Sequence, residues 1–139
     1  QRIFDKDLSG EISIDLSFEK MIQENIRTLI FKNLIMSAHD VSVGGLITAL
    51  ILSCEQNNLG AQIDKSIPDN WAGALFGEDQ SRIIFSYEEK DKNKISNILN
   101  DSDWHEIGTV TNRNIKFENI LLESESLFLR YNKGFSRDI

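Results

Sequence analysis

Apolar residues recur three and four positions apart between Ser17 and Ile35: Phe18, Met21, Ile22, Ile26, Leu29, Ile30 and Leu34. That spacing puts them on one stripe of a helix, and Asp15 or Ser17 stands ready to cap it. Residues 35–41 are too short for another helix and read as a strand running into a loop. From Gly45 to Gln56 the chain is apolar nearly all round, with Leu46, Ile47, Ala49, Leu50, Ile51, Leu52 and Cys54. Such a segment is a buried helix, and Asn57-Asn58-Leu59-Gly60 ends it. Residues 61–65 suggest a short strand. The stretch "SIPDNWAGALFGEDQ", residues 66–80, reads as a loop of successive small turns. Residues 82–87 alternate, with Ile83, Phe85 and Tyr87 on one face of a strand. Residues 88–100 form a charged helix with Ile95, Ile98 and Leu99 as its packing edge. Residues 104–110 and 114–117 read as a hairpin around Thr111-Asn112-Arg113. A short strand at 120–122 and a helix at 124–133, ending near Gly134, complete the pattern. The fold class is α+β, a mixed, mostly antiparallel sheet with helices packed on it.

Composition narrows the function. The 139 residues are enough for one domain with a real core, and the only proline, Pro68, leaves no Pro-rich linker to divide it. A net charge of −7 without a Lys/Arg cluster argues against nucleic acid or an anionic membrane surface as partner. No apolar run approaches the roughly 20 residues of a membrane span. Gln1-Arg2-Ile3-Phe4 runs at once into charge, so no signal-peptide pattern is present. One cysteine, Cys54, permits no internal disulfide and fits a reducing, cytoplasmic setting. The first residue is not Met, and the opening residues resemble the interior of a longer protein.

Two short stretches carry candidate chemistry. In "SAHDVSVGGLI", residues 37–47, Gly44 and Gly45 stand where the chain turns into the buried helix. Glycines let a backbone approach a bound group closely, and a helix start offers free N–H donors to an anion. Asp40 is a hard oxygen ligand of the kind Mg²⁺ takes beside phosphate oxygens, and Ser42 could bond a phosphate or cap the helix. The plainer alternative is that Asp40 and Ser42 cap the helix and the glycines permit a tight turn. His39 could carry a proton or simply be structural. In "FGEDQSR", residues 76–82, a carboxylate, an amide and a guanidinium precede a strand, as a polar small-molecule site or as a solvated turn. A third stretch, "DKDLSGEISIDL" at residues 5–16, imitates a calcium loop through Asp5, Asp7, Ser9 and Gly10, but Leu16 stands where the bidentate carboxylate belongs. Cys54, Trp71 and Trp104 read as packing residues. There is no GxGxxG or P-loop pattern.

Taken in order, "SAHDVSVGGLITAL", "LFGEDQSRIIFS" and "IGTV" resemble the C-terminal domain of the aminoimidazole-ribonucleotide-synthetase-like ATP-binding superfamily. The resemblance covers roughly residues 10–123 and leans toward its formylglycinamidine ribonucleotide synthases. The family pattern is His-Asp-x-Ser-Asp-Gly-Gly-Leu, then Phe-Gly-Glu-x-Gln-x-Arg. Such a family implies conversion of a formylglycinamide ribonucleotide to its amidine, with ATP activating the amide oxygen and ammonia displacing it. Carried over, Asp40 would be a magnesium ligand, Ser42 a nucleotide contact, and Gly44 and Gly45 the backbone near phosphate. Glu78 and Gln80 would belong to a substrate-holding loop. The resemblance places no catalytic residue in this chain. It implies ATP or ADP with Mg²⁺, upstream domains of the same enzyme, and a glutaminase subunit or domain supplying ammonia. Residues 1–15 would then be a connection from the upstream domain and 16–139 the domain itself, inactive alone. Val43 departs from the pattern, replacing its second Asp. Two other readings remain: a domain of a related kinase of the selenide, thiamine-phosphate or hydrogenase-maturation type, and a calcium-binding or interaction module.

Overall fold

A computed structural model describes residues 14–55, 57–64, 71–99, 104–117 and 120–133. The calcium-loop imitation at 5–16 therefore lies almost wholly outside the described residues. Helix α1 spans Leu16–Phe31. Its cap is Asp15 rather than Ser17: the Asp15 carboxylate accepts from the Ser17 and Phe18 amides at 2.9 and 3.0 Å. The helix stops short of Ile35 because Asn33 turns left-handed, φ +52°. Leu34 N–H then donates to Leu29 O and Asn33 N–H to Ile30 O, both at 3.0 Å, and Leu34 folds back onto Leu29 in the core. This pair of bonds satisfies the last carbonyls of the helix.

Strand β1 (Ser37–Asp40) pairs antiparallel with β3 (Ile83–Ser86) in a two-stranded ribbon. Between them lie α2 (Gly45–Glu55), β2 (Gly60–Ile63) and α3 (Trp71–Phe76). After a 3-10 turn at Glu89–Asp91 come α4 (Lys92–Ile98), β4 (Gly108–Thr111), β5 (Ile115–Phe117), β6 (Ile120–Leu122) and α5 (Ser124–Lys133). The larger sheet has the order β4-β2-β5-β6, with β2 and β5 parallel and its other pairs antiparallel.

Two expectations fail here. The 104–117 hairpin does not form, because β4 and β5 flank β2 instead of pairing with each other. The connection passes over Gly60, where an added Cβ would stand 2.0 Å from Asn114 O. Lacking a side chain at that point, β2 slips between the two strands, and Ala61 N–H bonds Asn114 O at 3.0 Å. The loop expected over 66–80 contains a helix, α3, whose end is stabilised by Arg82 from beyond it.

Two apolar cores result. Leu50 and Cys54 of α2 pack on Ala61, Ile63, Ile115 and Phe117 of the larger sheet. Leu29 and Leu34 pack on Ile95 and Leu99, with Phe85, Tyr87 and Trp104 against them. The ribbon divides them: Ile84 faces the first core, Phe85 the second. That alternation is the period-two signature of a strand covered on both faces.

Candidate functional site

Antiparallel pairing of β1 with β3 brings the two motifs together, since one leaves β1 where the other enters β3. Asp40 is opposite Ile83, and Val41 N–H donates to Arg82 O at 2.8 Å. The chain then reverses through Ser42-Val43-Gly44-Gly45, closed by Gly45 N–H to Ser42 O at 2.9 Å. Gly44 and Gly45 have φ of +83° and +71°, a region that costs a residue with a Cβ. Gly44 N–H donates to Glu78 Oε1 at 2.7 Å, which ties the turn to the second motif across 34 positions. Thr48, one helical turn on, returns a bond from Oγ1 to Gly44 O at 3.0 Å. Gly45 is buried against the end of α3: a Cβ there would stand 2.6 Å from the backbone of Leu75 and Phe76.

The second motif is anchored along its length. Arg82 extends its guanidinium to the carbonyls of Ala74 and Gly77, at 2.8 and 3.1 Å, at the C-terminal end of α3. A cation there meets the negative end of the helix and completes carbonyls that lack intrahelical partners. Asp79 lies 3.8 Å from the same guanidinium. Ser81, with φ +63°, donates its hydroxyl to Glu19 on α1. Gln80, between these anchors, is exposed.

Of the expected site residues, Gly44 and Glu78 therefore meet directly, and Gly45 joins α2 to α3. Ser42 and Asp40 lie on the same corner with exposed side chains, Asp40 at 77%. His39 Nδ1 donates to the Asp40 carbonyl at 2.6 Å, and the ring is partly covered. Val43 projects from the turn, 79% exposed, where an Asp would have added a second carboxylate. Among the described residues no group of three or more His, Cys, Asp or Glu could hold a metal ion. Asp40 thus suits only the part Mg²⁺ leaves to protein when it travels with phosphates, a single carboxylate. The corner presents the exposed Ser42 hydroxyl, Asp40 carboxylate and Gln80 amide to solvent. Sequence reasoning missed Thr48 and Glu19. Thr48 had a local signal, its i+4 spacing from Gly44; Glu19 had none, being 62 positions from Ser81.

Residues 4–118 match the family model described as "AIR synthase related protein, C-terminal domain". Phosphoribosylformylglycinamidine synthase subunit PurL of Pelagibacter ubique is 40% identical over 118 residues, 79% of this chain and 16% of the relative. The Bartonella quintana protein of the same name is 30% identical over 138 residues, 97% of this chain and 19% of the relative. The chain spans less than a fifth of the length of either. Phosphoribosylformylglycinamidine synthase II of Thermotoga maritima superposes with a TM-score of 0.65 at 19% identity, over 83% of this chain and 22% of that one. PurL of that organism, complexed with ATP, also gives 0.65, at 21% identity over 86% and 23%. At those identities the structural likeness speaks to the α+β fold. No described helix is long and apolar enough to cross a membrane.

Proposed function

The chain belongs to the AIR synthase related protein, C-terminal domain family, and we propose that it serves as such a domain within a phosphoribosylformylglycinamidine synthase. In that role it is part of a ligase of purine biosynthesis, converting formylglycinamide ribonucleotide to its amidine with ATP and ammonia. The observation that carries the reading is the Gly44 N–H to Glu78 Oε1 bond, which joins the family's two motifs into one corner. The residues of that corner suit one wall of a nucleotide cleft, the opposite wall belonging to an upstream domain of the same enzyme. Ser42 contacts the nucleotide, Gly44 and Gly45 shape the backbone beside its phosphates, and Gln80 with Glu78 forms the loop toward substrate. Magnesium enters with the nucleotide, and Asp40 supplies it one carboxylate. Ammonia comes from a glutaminase subunit or domain, and the setting is the cytoplasm. Residues 16–139 form the domain, and residues 1–15 connect it to what precedes.

Within this chain Glu78 takes the Gly44 N–H, and Val43 removes a charge that a second magnesium contact would use. Both features favour weak, auxiliary nucleotide binding at Ser42 and Asp40, beside a Glu78–Gln80 loop that keeps its substrate role. Calorimetric titration of ATP and ADP into the full-length protein tests this. Ser42→Ala is expected to weaken binding about tenfold, the value of one hydrogen bond to a charged group. Asp40→Asn is expected to weaken it only when Mg²⁺ is present. Unchanged affinity in both variants would mean that these residues merely shape the turn.

A further inference from the structure

We propose that Glu19 and Ser81 form a clasp that sets the loop of the second motif, making Glu19 a positioning residue for Gln80. The inference rests on the reading of this corner as a substrate and nucleotide wall.

Four described residues other than glycine adopt left-handed backbone: Asn33, Asn58, Asn114 and Ser81. Asparagine tolerates that region; serine does so less readily. Asn33 and Asn58 end helices, where such a conformation is customary. Ser81 lies instead in the middle of the candidate site, one residue from Gln80. What compensates it is its hydroxyl, which donates to Glu19 Oε2 on α1. The other Glu19 oxygen accepts Gln23 Nε2 at 2.7 Å, so the carboxylate is aimed from both sides. These bonds, the Ser81 hydroxyl foremost, hold the carboxyl below the ordinary glutamate value of 4.5, and it stays ionised at neutral pH.

The rest of the loop is fixed without the clasp. Gly77 N–H bonds Gly73 O at 2.9 Å, Glu78 bonds Gly44, and Arg82 bonds the end of α3 and the start of the turn. Asp79 faces the Arg82 guanidinium at 3.8 Å, which leaves Gln80 and Ser81 to a further restraint. Without Glu19, Ser81 relaxes toward right-handed backbone and rotates the peptide that carries Gln80. A strained residue beside a binding group, compensated from another element, is the arrangement expected where a side chain must be presented in one orientation.

The test is amide exchange, read on peptides covering 78–82 in the full-length protein, together with KM and kcat for the ribonucleotide. Glu19→Ala and Ser81→Ala are each expected to speed exchange at 78–82 about tenfold, with α1 and α2 unchanged. Both should raise KM several-fold at near-constant kcat, whereas Glu19→Gln, which still accepts the hydroxyl, should restore both readouts. Ser81→Gly removes the strain, so Glu19→Ala should change exchange less in that background. Exchange within twofold of wild type in both Ala variants, or Glu19→Gln as disruptive as Glu19→Ala, overturns the clasp. A wild type without turnover would refute the functional reading, and the exchange arm would still decide the clasp.

Discussion

Gly45 offers a sharp contrast with its neighbour Gly44, because the two occupy similar backbone conformations in different surroundings. Replacing either by Ala forces a Cβ into left-handed backbone, at about 1–2 kcal/mol. At Gly44 the new Cβ meets Thr48 Oγ1 at 2.2 Å, which a χ1 rotation moves, and Thr48 Cβ at 2.9 Å, which a small backbone shift relieves. The added cost is chiefly the Thr48–Gly44 hydrogen bond, about 1 kcal/mol. At Gly45 the Cβ meets Leu75 O and the Phe76 Cα and C, each at 2.6 Å. Backbone cannot swing away, so α2 and α3 must part, and overpacking of that kind costs a further 1–3 kcal/mol or so. Gly45→Ala should thus cost about 2–5 kcal/mol, against about 2–3 for Gly44→Ala. Thr48→Ala in the Gly44→Ala background should recover part of its loss, while nothing at 48 rescues Gly45→Ala. Urea unfolding followed by far-UV circular dichroism measures each variant against wild type. A Gly45→Ala variant within about 0.5 kcal/mol of wild type, a difference typical of neutral surface changes, would refute the claim that Gly45 is required for close packing. So would a Gly44→Ala variant that proves the more costly.

Three further outcomes follow from individual contacts. Arg82→Met keeps the stem but loses both guanidinium bonds to the end of α3, and should cost about 2–3 kcal/mol in urea unfolding, with Arg82→Lys intermediate. Asp15→Ala removes the acceptor of two amides at the start of α1 and should cost about 1 kcal/mol by the same measurement. Burial pushes the Cys54 thiol above its ordinary 9.0. Because the folded state favours the neutral thiol, that contribution to stability is intact below pH 9 and fades as pH rises through the folded value. Alkylation of native Cys54 should therefore be slow at pH 8 and become fast on unfolding; rapid alkylation of the native protein would contradict its burial.

Local rules made much of the fold legible. The three-and-four spacing gave α1, the unbroken apolar run gave α2, and the alternation at 83–87 gave a strand whose Phe85 and Tyr87 face one core. What escaped depended on distant partners. Strand β2 enters between β4 and β5 because Gly60 leaves room for the Arg113–Asn114 backbone, a property of the packed sheet that strand periodicity does not encode. Helix α3 is six residues long, contains a glycine and is completed by Arg82, so its own composition reads as turns. At the candidate site the residue types were visible, and so was the Val43 departure. The bond between Gly44 and Glu78 and the restraint of Ser81 by Glu19 were not, since each joins elements that only the tertiary fold brings together.

The most direct test of the account is turnover by the full-length protein compared with this 139-residue chain. Formylglycinamide ribonucleotide, Mg-ATP and ammonia are supplied, and amidine and released phosphate are measured. The full-length protein should release one phosphate per amidine formed, and the chain alone none above background. Turnover by the isolated chain, or a full-length protein that binds the ribonucleotide and ATP yet forms no amidine, would contradict it.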